Sequence, residues 1–139
     1  MKNTGRVNQG THSDMSQELI INWLKKLRDT VEQRDLQAHM ALVSKKVQVY
    51  GLPSQQVIDY QGWKNRRRNE FDKNLLSRLS HSNLNIKTIT LRRLGFRVTE
   101  TMLATNGKQL IIEKDIMLEE EEDGQWRVVE EIIHNWKAA

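Results

Sequence analysis

The sequence predicts one α+β domain in which helices come first and a curved antiparallel sheet follows. Three observations carry this. Apolar residues recur every three or four positions as far as Leu79 and every second position from Leu84 on. Asn106-Gly107 and Asp123-Gly124 punctuate the alternating half as hairpin turns. The length of 139 residues fits a single domain, and a chain of that size buries roughly 68% of its extended surface, enough for a core without covalent staples.

The elements follow in order. Residues 1–15 read as a flexible N-terminal arm and 16–139 as the folded domain. Asp14 with Gln17, or Ser16 alone, can cap a helix carrying Ile20, Trp23, Leu24, Leu27 and Val31 on one stripe. Asp35 caps a shorter helix with Leu36, Met40 and Val43. Val47 to Tyr50 is β-branched and aromatic and is stopped by Gly51-Leu52-Pro53, which predicts a strand. Trp63, Arg67, Phe71 and Leu75, joined by Leu76 and Leu79, predict a further helix from about Tyr60. Strands are expected over 84–93, 96–105, 108–121 and 126–137.

Composition excludes several kinds of chemistry. There is no cysteine, so disulfides, thiolate metal sites and cysteine nucleophiles drop out. No apolar run reaches the ~18 residues of a membrane span, and residues 1–13 lack a signal peptide's apolar stretch. A cytoplasmic protein with no membrane partner is expected. The net charge is +4, and its one dense cluster is Lys64-Asn65-Arg66-Arg67-Arg68. Consecutive arginines on a helix point about 100° apart, so the cluster reads as a solvated face and nucleic acid is not expected as a partner. His12, His39, His81 and His134 show no paired ligand spacing, so no metal is expected, and no cofactor motif is present.

Arg34-Asp35-Leu36 and Leu42-Val43-Ser44 lead into Val47-Gln48-Val49-Tyr50-Gly51. A helix follows after Gly62, and a long meander ends in Gly124-Gln125-Trp126-Arg127-Val128-Val129. Over residues 16 to 137 this resembles the nuclear-transport-factor-two-like superfamily, which includes SnoaL-like cyclases, ketosteroid isomerases and scytalone dehydratases. The resemblance implies a cone-shaped α+β barrel: a bent sheet wrapped around helices, a ligand pocket at the wide end, and dimers formed through the outer sheet face. In ketosteroid isomerases a general-base aspartate ends the first strand; Tyr50 stands there and is a poor base. Asp115 matches the oxyanion-stabilising acid of that family. With one of two roles missing, steroid isomerisation is not expected.

Two-residue turns at Asn106-Gly107 and Asp123-Gly124 would set Glu100 opposite Glu113, and Glu113 opposite His134. Glu100, Glu113, Asp115 and His134 then share one face with Phe96, Val98, Met102, Ile111, Met117, Ile132 and Trp136, and these four are the candidate catalytic residues. Facing carboxylates in an apolar setting raise one another's pKa, which is equipment for acid/base chemistry. Trp23, Tyr50, Trp63 and Trp136 are the candidate ligand-binding residues. The opposite face, with Leu103, Leu110, Ile112, Ile116, Leu118, Val129 and Ile133, is apolar enough to predict a homodimer. Three functions stay open: a binding protein for an unknown small molecule; an acid/base enzyme (dehydratase, isomerase or cyclase) on an apolar ligand; and a protein-interaction module.

Overall fold

The computed structural model describes residues 4–139, with side chains from Asp14 on. Helix α1 spans Thr4–Gln33, α2 Leu36–Met40 and α3 Tyr60–Asp72. The strands are β1 Val43–Tyr50, β2 Leu76–Ile89, β3 Arg93–Ala104, β4 Gln109–Glu120 and β5 Trp126–Ala138. They form one sheet of order β1-β5-β4-β3-β2, with β1 parallel to β5 and the remaining pairs antiparallel. The sheet curves without closing, and the helices fill its inner side.

The apolar stripe of α1 is the one the spacing predicts. Ile20, Trp23, Leu24, Leu27 and Val31 are all buried and pack over β2. Of the arm expected over residues 1–15, Met1–Asn3 lie outside the described residues, and the chain is helical from Thr4, so that Asp14 and Ser16 lie inside the helix instead of capping it. Asp35 caps α2 as expected, accepting a hydrogen bond from the Ala38 amide at 3.0 Å, and Asp59 caps α3 through the Gly62 amide at 2.9 Å.

Further boundaries differ from the expectation. β1 starts at Val43, not Val47, because Val43 pairs with Val128 and a bulge then accommodates the exposed Lys45 and Lys46. The helix expected to run through Leu79 ends at Asp72. Leu76 and Leu79 belong to β2, where a register shift between Leu76 and Arg78 places both leucines inward at a three-residue spacing. A bulged strand thus imitates a helical repeat, which is why the period misleads there.

Candidate functional site

The sheet register decides which charges enter the cone. Each predicted two-residue turn is a three-residue loop. In the β3–β4 hairpin the Gly107 amide donates to the Ala104 carbonyl, the Ala104 amide donates to the Lys108 carbonyl, and Gly107 alone among the loop residues has positive φ, at 88°. This is a type I turn followed by a left-handed glycine, whereas a two-residue type I′ turn needs Asn106 at positive φ too. The β4–β5 loop repeats it, with Gly124 at φ 80°. The one extra residue turns β4 over relative to the expectation. Glu100 faces Ile112 instead of Glu113, and Arg97 faces Asp115. On β5, with shifts beside Met117 and Glu113, Asp115 lies opposite Ile132, Met117 opposite Glu130, and Glu113 opposite Asn135 in place of the expected His134.

The row expected from Glu100, Glu113 and His134 therefore does not form. Glu100 lies inside, 1% exposed. Glu113, Asp115 and His134 lie on the outer face with Arg97. There Arg97 grips Asp115 through Nε at 2.9 Å and Nη2 at 3.3 Å, and His134 Nε2 sits 2.8 Å from Asp115 Oδ2 and 3.0 Å from Arg97 Nη2. The Arg97 hydrogen bonds, with help from His134, hold the Asp115 carboxyl below its ordinary range despite partial desolvation. Of the aromatic candidates, Trp63 lines an internal cavity. Trp23 is buried in the core, Tyr50 donates to Gln48 at the end of β1, and Trp136 is half exposed near the chain end.

The same inversion carries Lys114 inward in place of Asp115. Lys114, Glu100 and Glu131 form a buried triad, 4%, 1% and 4% exposed. Lys114 Nζ donates to Glu100 Oε1 at 3.0 Å and to Glu131 Oε1 at 3.1 Å. His81, on β2, completes the inner group: its Nε2 lies 2.8 Å from Glu100 Oε2, and Arg28 Nη1 lies 3.3 Å from its Nδ1. Arginine cannot accept, so Nδ1 accepts from Arg28 and Nε2–H donates to Glu100.

The three charges respond differently to burial. Burial alone would raise the pKa of Glu100, but the Lys114 ammonium and the His81 hydrogen bond outweigh it and keep the carboxyl ionised. Burial works against the charge on Lys114, and the two carboxylates overcome it, raising its pKa. For Glu131 burial prevails: Lys114 opposes it, but the neighbouring Glu100 charge pushes the same way, and the pKa rises. Among the described residues, Glu131 Oε2 has no hydrogen-bond partner although it is buried. A buried, unpaired carboxyl oxygen costs roughly 1–3 kcal/mol, more if ionised.

A second buried histidine ties the three helices to one another. The Thr30 hydroxyl donates to the Leu27 carbonyl at 2.9 Å, so it accepts from His39 Nδ1–H at 3.0 Å. His39 Nε2 accepts from Trp63 Nε1 at 3.1 Å and from Arg67 Nε at 3.3 Å. Burial, reinforced by the Arg67 charge, lowers the pKa of His39 to about 3, in keeping with a neutral ring. Arg67 also pairs with Glu70 at 2.7 Å. It lies on the apolar stripe of α3 because its partners are inside.

Between α3 and the sheet lies a cavity of about 190 Å³. Its wall is Ile112, Ile133, Met102 and Val49 on the sheet, Leu52 and Ile58 on the β1–α3 connection, and Trp63, Arg66, Arg67 and Glu70 on α3. Glu100, Lys114 and Glu131 bring the polar triad to the same wall. Sequence reasoning missed Glu131, Lys114 and His81. A charge set among Ile112, Ile116 and Leu118 at alternate positions was a signal for Lys114, and Arg67 on an apolar stripe was a second signal.

N-terminal helices set inside an open, curved five-stranded sheet make the nuclear-transport-factor-two-like cone, and the chain has this fold. A protein of this fold from Shewanella oneidensis superposes with a TM-score of 0.71 at 14% identity, covering 86% of this chain and 98% of that one. One from Cytophaga hutchinsonii matches at 0.68 and 13% identity, over 84% and 95%. A candidate scytalone dehydratase from Novosphingobium aromaticivorans matches at 0.70 and 13% identity, over 92% and 90%. No protein-family model matches the sequence, and no curated protein matches it.

Proposed function

We propose that this chain is a small-molecule binding protein that takes a compact, mostly apolar ligand into the cavity between α3 and the sheet. The carrying observation is Glu131: a buried carboxyl on the cavity wall whose Oε2 has no partner among the described residues. Native interiors rarely leave such a group unsatisfied, and a catalytic or binding role is one of the recognised reasons when they do. At about 190 Å³ the cavity is smaller than the ~300–1,000 Å³ of drug-sized pockets, so the ligand is of fragment size.

A second reading has its own support. Glu131 accepts from Lys114 at Oε1, so a proton on this carboxyl resides on Oε2, and its raised pKa keeps one there closer to neutrality. That is the equipment of an acid/base enzyme such as a dehydratase, isomerase or cyclase, and a candidate scytalone dehydratase shares the fold. We further propose a homodimer through the outer sheet face.

Phenol and toluene test the binding reading, since they differ by one hydroxyl. Methyl NMR should show phenol shifting Ile112, Ile133 and Met102 about tenfold more tightly than toluene, one hydrogen bond to a charged or buried group being worth about that factor. Glu131→Leu should abolish the preference. If neither compound perturbs these methyls, the reading fails.

A further inference from the structure

The cavity wall contains three cations and three carboxyls. Two of the cations are already matched. Lys114 is held between Glu100 and Glu131, and Arg67 is paired with Glu70 and hydrogen-bonded to His39. Arg66 has no side-chain hydrogen bond or ion pair among the described residues, and it is exposed. Trp63 and Arg67, and Arg66 and Glu70, are each four residues apart, so the two pairs form adjoining rows of α3 that both line the cavity. Arg66, the exposed residue of the lining, therefore stands where the cavity meets solvent.

The charge balance gives this arrangement its meaning. Glu100 and Glu70 each answer a cation inside the wall. Glu131 shares Lys114 with Glu100 and is the carboxyl that burial drives toward its neutral form. Arg66 is the one cation of this wall with no ion pair among the described residues, and it is exposed where an anionic group could meet it.

We propose that the ligand is an apolar-bodied carboxylate, its body packed against Ile112, Ile133 and Met102 and its carboxylate taken at the mouth by the Arg66 guanidinium. A planar fork of donors matches a carboxylate through two parallel hydrogen bonds. The mouth is the part of the site where a charge keeps some contact with water, so the ligand's charge need not be stripped of its hydration to bind. The proposal rests on the binding function assigned above and adds the chemical class of the ligand.

Benzoate and benzamide test it, because they have nearly the same shape and differ in charge. Wild-type protein should bind benzoate about tenfold more tightly than benzamide, with shifts at the Ile112 and Ile133 methyls placing both in the cavity. Arg66→Gln should bring benzoate affinity down to that of benzamide while leaving the unfolding midpoint unchanged, since the side chain is exposed. Arg66→Lys should keep most of the preference. Equal binding of the two compounds, or a benzoate preference that survives in Arg66→Gln, overturns the carboxylate assignment and leaves the binding function intact. If neither compound, nor phenol, reaches the cavity methyls, the binding function itself has failed and this assignment with it.

Discussion

His39 shows how one residue couples the folded state to pH. Its folded pKa of about 3 lies well below the ordinary value of 6.5. Between those two values the unfolded chain takes up a proton that the folded chain refuses, so stability is present above about pH 6.5 and lost as pH falls. At pH 5 the loss from this residue alone is on the order of 2 kcal/mol. Glu131 acts in the opposite sense: its raised pKa lets the folded chain keep a proton, a contribution lost as pH rises. Glu100, with a lowered pKa, weakens the fold only once pH falls into the carboxylate range. Urea unfolding at pH 7 and pH 5 should therefore show wild type losing about 2 kcal/mol more than His39→Gln. A wild-type loss no larger than the variant's would remove His39 from this role.

The β3–β4 hairpin is the element on which the site depends. A Cβ at Gly107 would meet nothing within 4 Å, so only its φ of 88° resists substitution. Gly107→Ala should cost about 1 kcal/mol, read as a lower urea midpoint at unchanged slope. Gly107→Asn should cost less, because asparagine tolerates the left-handed region. Equal stability of Gly107→Ala and wild type would mean that the loop relaxes into another turn. The hairpin also sets the polarity of β4: Ile112, Lys114, Ile116 and Leu118 are buried while Ile111, Glu113, Asp115 and Met117 between them are only partly so. With the predicted two-residue turn these sets would exchange places, and Asp115 instead of Lys114 would meet the cavity.

At the scale of the whole molecule, the outer sheet face changes composition. Ile112, Ile116 and Leu118, which motivated an apolar outer face, are in the interior, and Ile133 packs against the core. The outer face carries Ile111, Met117 and Ile132 beside Arg97, Asp115 and His134. It is a mixed surface of apolar and charged side chains. Light scattering at tens of micromolar should give twice the chain mass, and Ile132→Glu should halve it without unfolding the protein. A monomer mass for wild type would overturn the dimer. No helix among the described residues is long and apolar enough to cross a membrane.

Local patterns in the sequence were enough for the existence of the three helices, the number of strands, the Asp35 cap and the inner face of β3. Each depends on residues near in the chain: a stripe at three- and four-residue spacing, a side chain reaching an amide three residues on, a period of two. The fold family was legible for the same reason, since element order alone carries it. The site was not. A glycine after asparagine fits either turn length, and the choice between two and three loop residues inverts every side chain of the next strand. The bulges in β1, β2 and β5 are likewise set by what the strands must pack against. Only the tertiary structure could bring Lys114 from β4, Glu100 from β3, Glu131 from β5 and His81 from β2 together. Charges this deeply buried hold one another in place, and that depends on contacts between strands far apart in sequence.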